Sequence, residues 1–365
     1  MNLGPHGQLR PAMPSFAFQQ PLVSLTFGAG SLAGLPAILQ ACGVRRPLLV
    51  PTPSQRATAS RVAAMLPVAG RFEGVAPHVP AESVEALAAQ SRDTGADGLI
   101  ALGGGAAIDL AKAASAGTPI PVIAVPTTYG GSELTAHAGK TSGRTKEPVA
   151  SGPPRGVLYD PELTLDLPLR ASAGSAMNAL AHCVEALYAP KAQPLALLAA
   201  EEALRRMPGA LRAVARDLHD AGGREELLYG GYLAGVALAG SGMALHHRIC
   251  HVLGGRYGIA HGDANAVILP HAARFNAPAA PEAIARAARA LGVSAGELPD
   301  ALADLARACG AATSLRELGL DHGELDAVAD GALAAPLVNP RPVDRAGLRQ
   351  LLEDAWSGRL AGVER

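Results

Sequence analysis

Five of the eleven histidines fall within one short stretch: His246, His247, His251, His261 and His271. His247 and His251 are four residues apart, so on a helix they share a face. Asn178 and His182 repeat that spacing in SAMNALAHCVEALY. Two helices each presenting such a pair, with His261 in a glycine-flanked turn, predict a converging group. Imidazoles joined by a carboxylate would hold a divalent metal. Without a metal, the same histidines would orient an anionic substrate and shuttle protons. A single histidine more commonly sits in a core, satisfied by the backbone, but five in one cluster fit that role poorly. His6, His78, His137, His219 and His322 show no such pattern and are given no role.

A second group surrounds a glycine turn. Leu99-Ile100-Ala101-Leu102 runs into Gly103-Gly104-Gly105, and AAIDLAK then opens a helix. Glycines let a backbone approach a diphosphate, and the unpaired N–H groups and dipole of a new helix favour its charge. Three glycines also make a plain tight turn, and this is not the GxGxxG pattern. The next apolar run ends in Pro126-Thr127-Thr128-Tyr129-Gly130-Gly131-Ser132-Glu133, again small and hydroxyl residues at the carboxyl end of a strand. Hydroxyls there can simply cap a turn. Two adjacent loops of this kind favour a dinucleotide site, with Gly103, Gly104, Gly105, Thr127, Thr128, Tyr129 and Ser132 as its residues.

These groups need a scaffold, and the text changes character near residue 168. Before it, β-rich runs at Pro47–Val50, Gly98–Leu102, Pro121–Val125 and Gly156–Tyr159 alternate with helical patterns at Ser54–Leu66, Ala81–Ser91 and Ala106–Ala116. That alternation predicts a parallel sheet covered on both faces. Ser15–Phe27 reads as a further strand or hairpin with FGAG as its turn. From Ala171 onward the spacing is helical: 175–188, 195–216, 225–239, 281–291, 298–309 and 344–356. The expected organisation is an α/β dinucleotide-binding domain over residues 1–168 and an all-α catalytic domain over 169–365, with the ligand in the cleft between them.

Composition bounds the partners. The chain has 31 Lys+Arg against 32 Asp+Glu, which gives no electrostatic reason to expect nucleic acid or an anionic membrane. Charged residues cut every apolar run before it reaches spanning length. The opening MNLGPHGQLRPAMPS lacks a basic-then-apolar leader, and the four cysteines lie far apart without a CxxC pair, so a reducing, cytoplasmic setting is expected.

FGAGSL (27–32), GGGAAIDLAK (103–112) and IAHGDANAVILPH (259–271) resemble the iron-containing alcohol dehydrogenase superfamily. HVP (78–80), PTTYGGSELT (126–135), YDPELTLDLP (159–168), LHHRICHVLGG (245–255), TSLRELG (313–319) and NPRP (339–342) are similar to its maleylacetate reductase branch. The resemblance implies an N-terminal nucleotide domain, a C-terminal helical domain and a homodimer. It implies NADH or NADPH as cofactor, and a small dicarboxylate substrate whose activated C=C is reduced; a metal-dependent alcohol or aldehyde dehydrogenase and a non-redox biosynthetic or binding protein of the same fold stay open as alternatives. In metal-dependent members one Asp and three His hold iron or zinc. Those places fall here on Asn178, His182, His247 and His261, with His251 beside them. Asn178 replaces the one anionic ligand, as in the metal-independent branch, so no metal is expected; if one binds, His182, His247 and His261 would hold it. The implied catalytic group is His251, His247, His182, His261 and Asn178. Arg248, Arg256, Lys140, Arg144 and Lys146 are candidate contacts for the substrate carboxylates. The glycine turn yields a direct test: Gly104→Val should abolish nucleotide binding in a protein whose circular dichroism and melting remain normal. Unchanged nucleotide affinity would remove the site from this turn.

Overall fold

The computed structural model describes residues 23–360 except Arg144 and Lys191. Its strands are β1 (Ser24–Phe27), β2 (Leu48–Pro51), β3 (Gly70–Arg71), β4 (Leu99–Gly103), β5 (Val122–Pro126), β6 (His137–Ser142), β7 (Thr145–Ala150) and β8 (Gly156–Tyr159). Helices α1 (Leu35–Ala41), α2 (Arg56–Met65), α3 (Ala81–Asp93) and α4 (Gly105–Ser115) lie between them. The rest is helical: α5 (Leu169–Tyr188), α6 (Pro194–Arg216), α7 (Ala221–Ala239), α8 (Leu245–Tyr257), α9 (His261–Asn276), α10 (Pro281–Leu291), α11 (Leu298–Ala308), α12 (Leu325–Leu333) and α13 (Arg345–Ser357). Of the expected Ser15–Phe27 strand, β1 is the described part, and residues 15–22 lie outside the described residues.

Six strands form one sheet in the order β1-β8-β5-β4-β2-β3, every pair parallel. Side-chain alternation divides its two cores. Leu48, Val50, Leu99, Ala101, Val122, Ala124, Val157 and Tyr159 face one side; Leu49, Ile100, Leu102, Ile123, Val125 and Leu158 face the other, against α1 and α2. Burial on both faces explains why these runs are continuously apolar. From β2 the chain winds first outward to β3 and then to the opposite side with β4. The β2/β4 boundary is therefore the topological switch point, where a doubly wound sheet leaves a crevice for ligand. The glycine turn sits at its mouth.

Five features were not legible as elements: α1, β3, α12, the β6–β7 hairpin and α9, of which the last two bear on the site. The β6–β7 hairpin, HAGKTS paired antiparallel with TKEPVA, has no apolar alternation. It is held from outside instead: Lys112 donates to the His137 carbonyl, Asp109 accepts from Gly139 N at 3.2 Å, and Thr141 Oγ1 donates to the His78 carbonyl at 2.6 Å. The expected turn at His261 is instead the first residue of α9, with Ala260 as its cap. From Ala264 to Asn276 this helix is buried nearly all round, so its sequence shows no amphipathic period, and Pro270 inside it obscured it further.

The larger core runs without a break from the sheet into α5, α6 and α7. Where the Pro126–Ser132 loop meets those helices, backbones touch. A Cβ on Gly131, whose φ is 82°, would lie 2.7 Å from Gly235 N; one on Gly231 would lie 2.8 Å from the Tyr129 carbonyl. Gly174 of α5 and Gly262 of α9 meet in the same way, within 3.0 Å. Gly231→Ala gains about 1 kcal/mol of helix propensity, but the obstacle is backbone, and overpacking of that kind costs about 1–3 kcal/mol. The variant should melt lower and bind nucleotide more weakly, as differential scanning calorimetry and nucleotide titration would show.

Candidate active site

The nucleotide side begins where β4 ends. Gly103 has φ 150°, and a Cβ there would lie 2.5 Å from Thr52 Cγ2; at Gly104 it would lie 2.9 Å from Thr128 Cγ2. Both glycines are thus forced by the walls of the crevice, while Gly105 is exposed and open. Helix α4 starts there with no side-chain cap and no acidic residue in its first turn, so its leading N–H groups suit a phosphate. Thr127 N donates to the Gly103 carbonyl at 3.0 Å, which places the second loop against the first. Thr128 packs on Gly104, and Ser132 Oγ is buried without a partner near Gly105. Tyr129 is placed differently from a cofactor-facing phenol: its ring is fully buried, its N–H meets Ser175 Oγ at 2.7 Å and its hydroxyl receives Arg224.

Lys112, the last residue of the GGGAAIDLAK motif, secures this wall. Its buried amine donates to Ser132 O at 2.8 Å and Thr135 Oγ1 at 3.0 Å, and burial lowers its pKa while Asp109 raises it.

Across the cleft, α5 carries Asn178, His182 and Glu185 on one face, α8 carries His246, His247 and His251, and α9 starts with His261. The rings of His182 and His247 stack at 4.5 Å; His251 and His261 stack at 5.9 Å, each 6.4 Å from His247. The structure therefore gathers His182, His247, His251 and His261 beside Asn178. His246 lies underneath, with Nε2 on the Asn265 carbonyl at 3.2 Å. His271 is buried further along α9 and makes no ring contact with the cluster among the described residues. Gly130 lies between the two sides: its backbone works against the burial that lowers His182, and Asn178 Nδ2 lies 3.6 Å from where its Cβ would be.

Glu185 escaped the sequence reading, although a single carboxylate in the apolar text of α5 was its signal. It accepts from His247 Nδ1 at 2.6 Å, Ala244 N at 3.0 Å and His246 N at 2.9 Å. Burial pushes this carboxyl up, and the neighbouring His246 and the backbone donors pull it down. With Nδ1 hydrogen-bonded to Glu185, His247 turns Nε2 into the site. That atom, His182 Nδ1 and Asn178 Oδ1 are all buried and unpaired. Burial lowers every histidine here, His247 to about 3 and His182, His251 and His261 well below the ordinary value, so they rest neutral.

Among the cationic candidates, Arg248 donates to the Pro336 carbonyl at 3.1 Å and Arg256 lies 4.0 Å from Glu324. Arg144 lies outside the described residues. Lys146 behaves differently. It reaches from β7 over Gly139 towards the cluster, forms no ion pair among the described residues, and its charge depresses His78, His247, His251 and His261. Burial lowers its own pKa.

The sequence of residues 23–161 matches the family description "Iron-containing alcohol dehydrogenase", and 172–356 matches "Fe-containing alcohol dehydrogenase family, C-terminal". The chain belongs to the iron-containing alcohol dehydrogenase family. It is an oxidoreductase. Maleylacetate reductase of Burkholderia cepacia is 40% identical over 352 residues, spanning 95% of this chain and 99% of that one. The enzyme of that name from Pseudomonas knackmussii is 42% identical over 337 residues, 91% and 95% of the two chains. Among solved structures, maleylacetate reductase from Rhizobium superposes with TM-score 0.88 at 38% identity, covering 95% and 99%. A putative alcohol dehydrogenase from Ralstonia eutropha superposes with TM-score 0.91 at 42% identity over the same shares.

Among the described residues, the buried unpaired atoms facing the site, His182 Nδ1, His247 Nε2 and Asn178 Oδ1, include no carboxylate, so they would offer iron or zinc neutral ligands only. His182 and His247 stack face to face, with an interplanar angle of 14°, and Asn178 offers a neutral oxygen where an anion would be needed. The one set of three His, Cys, Asp or Glu ligand atoms within 4.8 Å of one another, among the described residues, is Glu185, His246 and His247. Its members are already engaged with each other, at 2.6 Å and 3.3 Å.

His271 allows a test of neutral burial away from the cluster. Burial first, then Arg274, lowers it from 6.5 to about 4. A depressed pKa contributes stability that is complete above about pH 6.5 and is lost as pH falls towards 4, up to about 3 kcal/mol for this one group. His271→Gln should flatten the fall in melting temperature across that window and leave the melting point at pH 8 less affected.

Proposed function

We propose that this oxidoreductase reduces maleylacetate to 3-oxoadipate with NADH or NADPH and without a catalytic metal. The observation that carries the reading is charge balance: the Lys146 amine, without an ion-pair partner among the described residues, lies close enough to lower His251 and His261, in a cluster where Asn178 stands at the acidic place. Such a pocket suits a dianionic substrate, and the named relatives support that choice. The nicotinamide nucleotide, when bound, supplies the hydride. Gly103–Gly105 would hold its diphosphate, with Thr127, Thr128 and Ser132 along the ribose side. No acidic residue follows β2 in Thr52-Pro53-Ser54-Gln55 to repel a 2′-phosphate, which supports use of both nucleotides.

Hydride addition to the alkene carbon remote from the ketone leaves an enolate on the keto oxygen. Lys146 is the charged donor available to one carboxylate or to that enolate. Asn178, His182 and His247 offer unpaired polar atoms to hold the substrate, and Glu185 keeps His247 in one tautomer. His251 and His261 are partly exposed, unlike His182 and His247, so they can exchange with solvent; they deliver the proton to the carbon beside the ketone. One alkene is reduced, one nucleotide is oxidised and one proton is taken up. A cytoplasmic homodimer completes the proposal; four unpaired cysteines suit a reducing compartment, and the dimer follows from the family resemblance.

The test is a maleylacetate assay that follows loss of reduced-nicotinamide absorbance before and after incubation with a strong chelator. The rate should be unchanged. Asn178→Asp should raise KM for maleylacetate by about tenfold or more, because a carboxylate is placed beside a dianion. Loss of activity on chelation, restored by zinc or iron alone, would overturn the metal-free mechanism.

A further inference from the structure

Arg224, in the first turn of α7, is completely buried. Its guanidinium meets neutral acceptors only among the described residues. Nε and Nη2 donate to the Leu218 carbonyl at 3.0 and 2.8 Å, and Nη2 also reaches the carbonyls of Leu167 at 2.8 Å and Leu165 at 3.4 Å. Nη1 donates to Ser172 Oγ at 2.7 Å and to the Tyr129 hydroxyl at 2.9 Å. A guanidinium stays charged throughout the accessible pH range, and well-packed apolar residues often replace a buried charge at no loss of stability. Nor does the charge favour α7, since a cation in the first turn is at the wrong end of the helix dipole. What its bonds share is location. They join the segment linking the sheet to α5, the turn between α6 and α7, and the loop that lines the nucleotide crevice.

We propose that Arg224 is a positioning residue, which sets the registry between nicotinamide and the histidine cluster by anchoring Tyr129. On one side of Tyr129, Thr127 and Thr128 pack against Gly103 and Gly104. On the other, Gly130 faces Asn178, whose Nδ2 lies 3.6 Å from where a Cβ on Gly130 would be. The phenol is thus a fixed point between hydride donor and acceptor. Gly131 would still hold the loop to α7 without it, but the threonine end would be free to tilt. For its substrate, though not for its geometry, this inference rests on the reductase reading above.

Tyr129→Phe removes one hydroxyl and leaves the packing in place; Arg224→Lys keeps the charge and loses the fork. With maleylacetate, Tyr129→Phe should lower kcat about tenfold while KM for the nucleotide stays within about twofold, because small misplacements of reacting groups act on the chemical step. The isotope effect with nucleotide deuterated at the transferred position should rise. The double variant should be no slower than Arg224→Lys alone, as expected for residues acting through one contact. The emission of bound reduced nicotinamide, which needs no turnover, should shift in both single variants. A wild-type kcat and isotope effect in Tyr129→Phe would overturn the proposal, as would losses that simply follow falling melting temperature and nucleotide affinity together. If the wild-type protein fails to reduce maleylacetate, the reductase reading falls by itself. The emission then decides the role of Arg224: a shift upholds it and an unchanged spectrum overturns it.

Discussion

A backbone-to-backbone contact lies at the centre of this protein: Gly131 of the loop after β5 against Gly231 and Gly235 of α7. Because no Cβ fits between them, the loop cannot move outward without losing the contact or inward without a clash. The same few residues that press on the glycine turn through Thr127 and Thr128 therefore also hold Gly130 against His182 and Asn178. The glycine turn and the histidine cluster belong to different halves of the chain, and this loop gives them one frame. The tight meeting of Gly174 and Gly262 does the same for α5 and α9, bringing His261 up to His182 and His247.

Burial then decides the chemistry of the cluster. Imidazoles removed from water lose protons, so the four site histidines rest neutral even though they crowd together. Glu185 gives the group direction by accepting from His247 Nδ1, and its two backbone donors keep it in place. With Asn178 neutral as well, the positive charge facing the pocket comes from Lys146, on a hairpin contributed by the other half. Under the proposed reading, anion recognition and proton handling fall to separate elements that meet only in the folded protein.

That hairpin has little apolar character of its own and depends on buried polar ties. Lys112 links α4 to Ser132, Thr135 and His137, while Glu133 accepts the Tyr159 hydroxyl at 2.7 Å beneath it. These bonds join the phosphate-facing helix, the loop and the hairpin into one wall. Each such group would be costly to bury unpaired, so the ties act as specific locks rather than as general adhesive.

Periodicity and punctuation in the sequence determined the parallel sheet, since strands buried on both faces must read as short apolar runs; β8 was legible to its ends and β2, β4 and β5 within a residue. The glycine turn, the Thr127–Thr128 loop and the pairs Asn178/His182 and His247/His251 were also visible, because local spacing alone puts them on one turn or one helix face. Tertiary structure alone decided the rest. His261 opens a helix that is buried all round and so carries no amphipathic signal. His271 belongs to the cluster in sequence but not in space. Tyr129 turns its phenol inward to Arg224, and Glu185 and Lys146 acquire their roles only through contacts with residues far away in the chain. Periodicity reports which face of an element is buried; which groups meet there, and in which charge state, is set by packing and by exclusion of water.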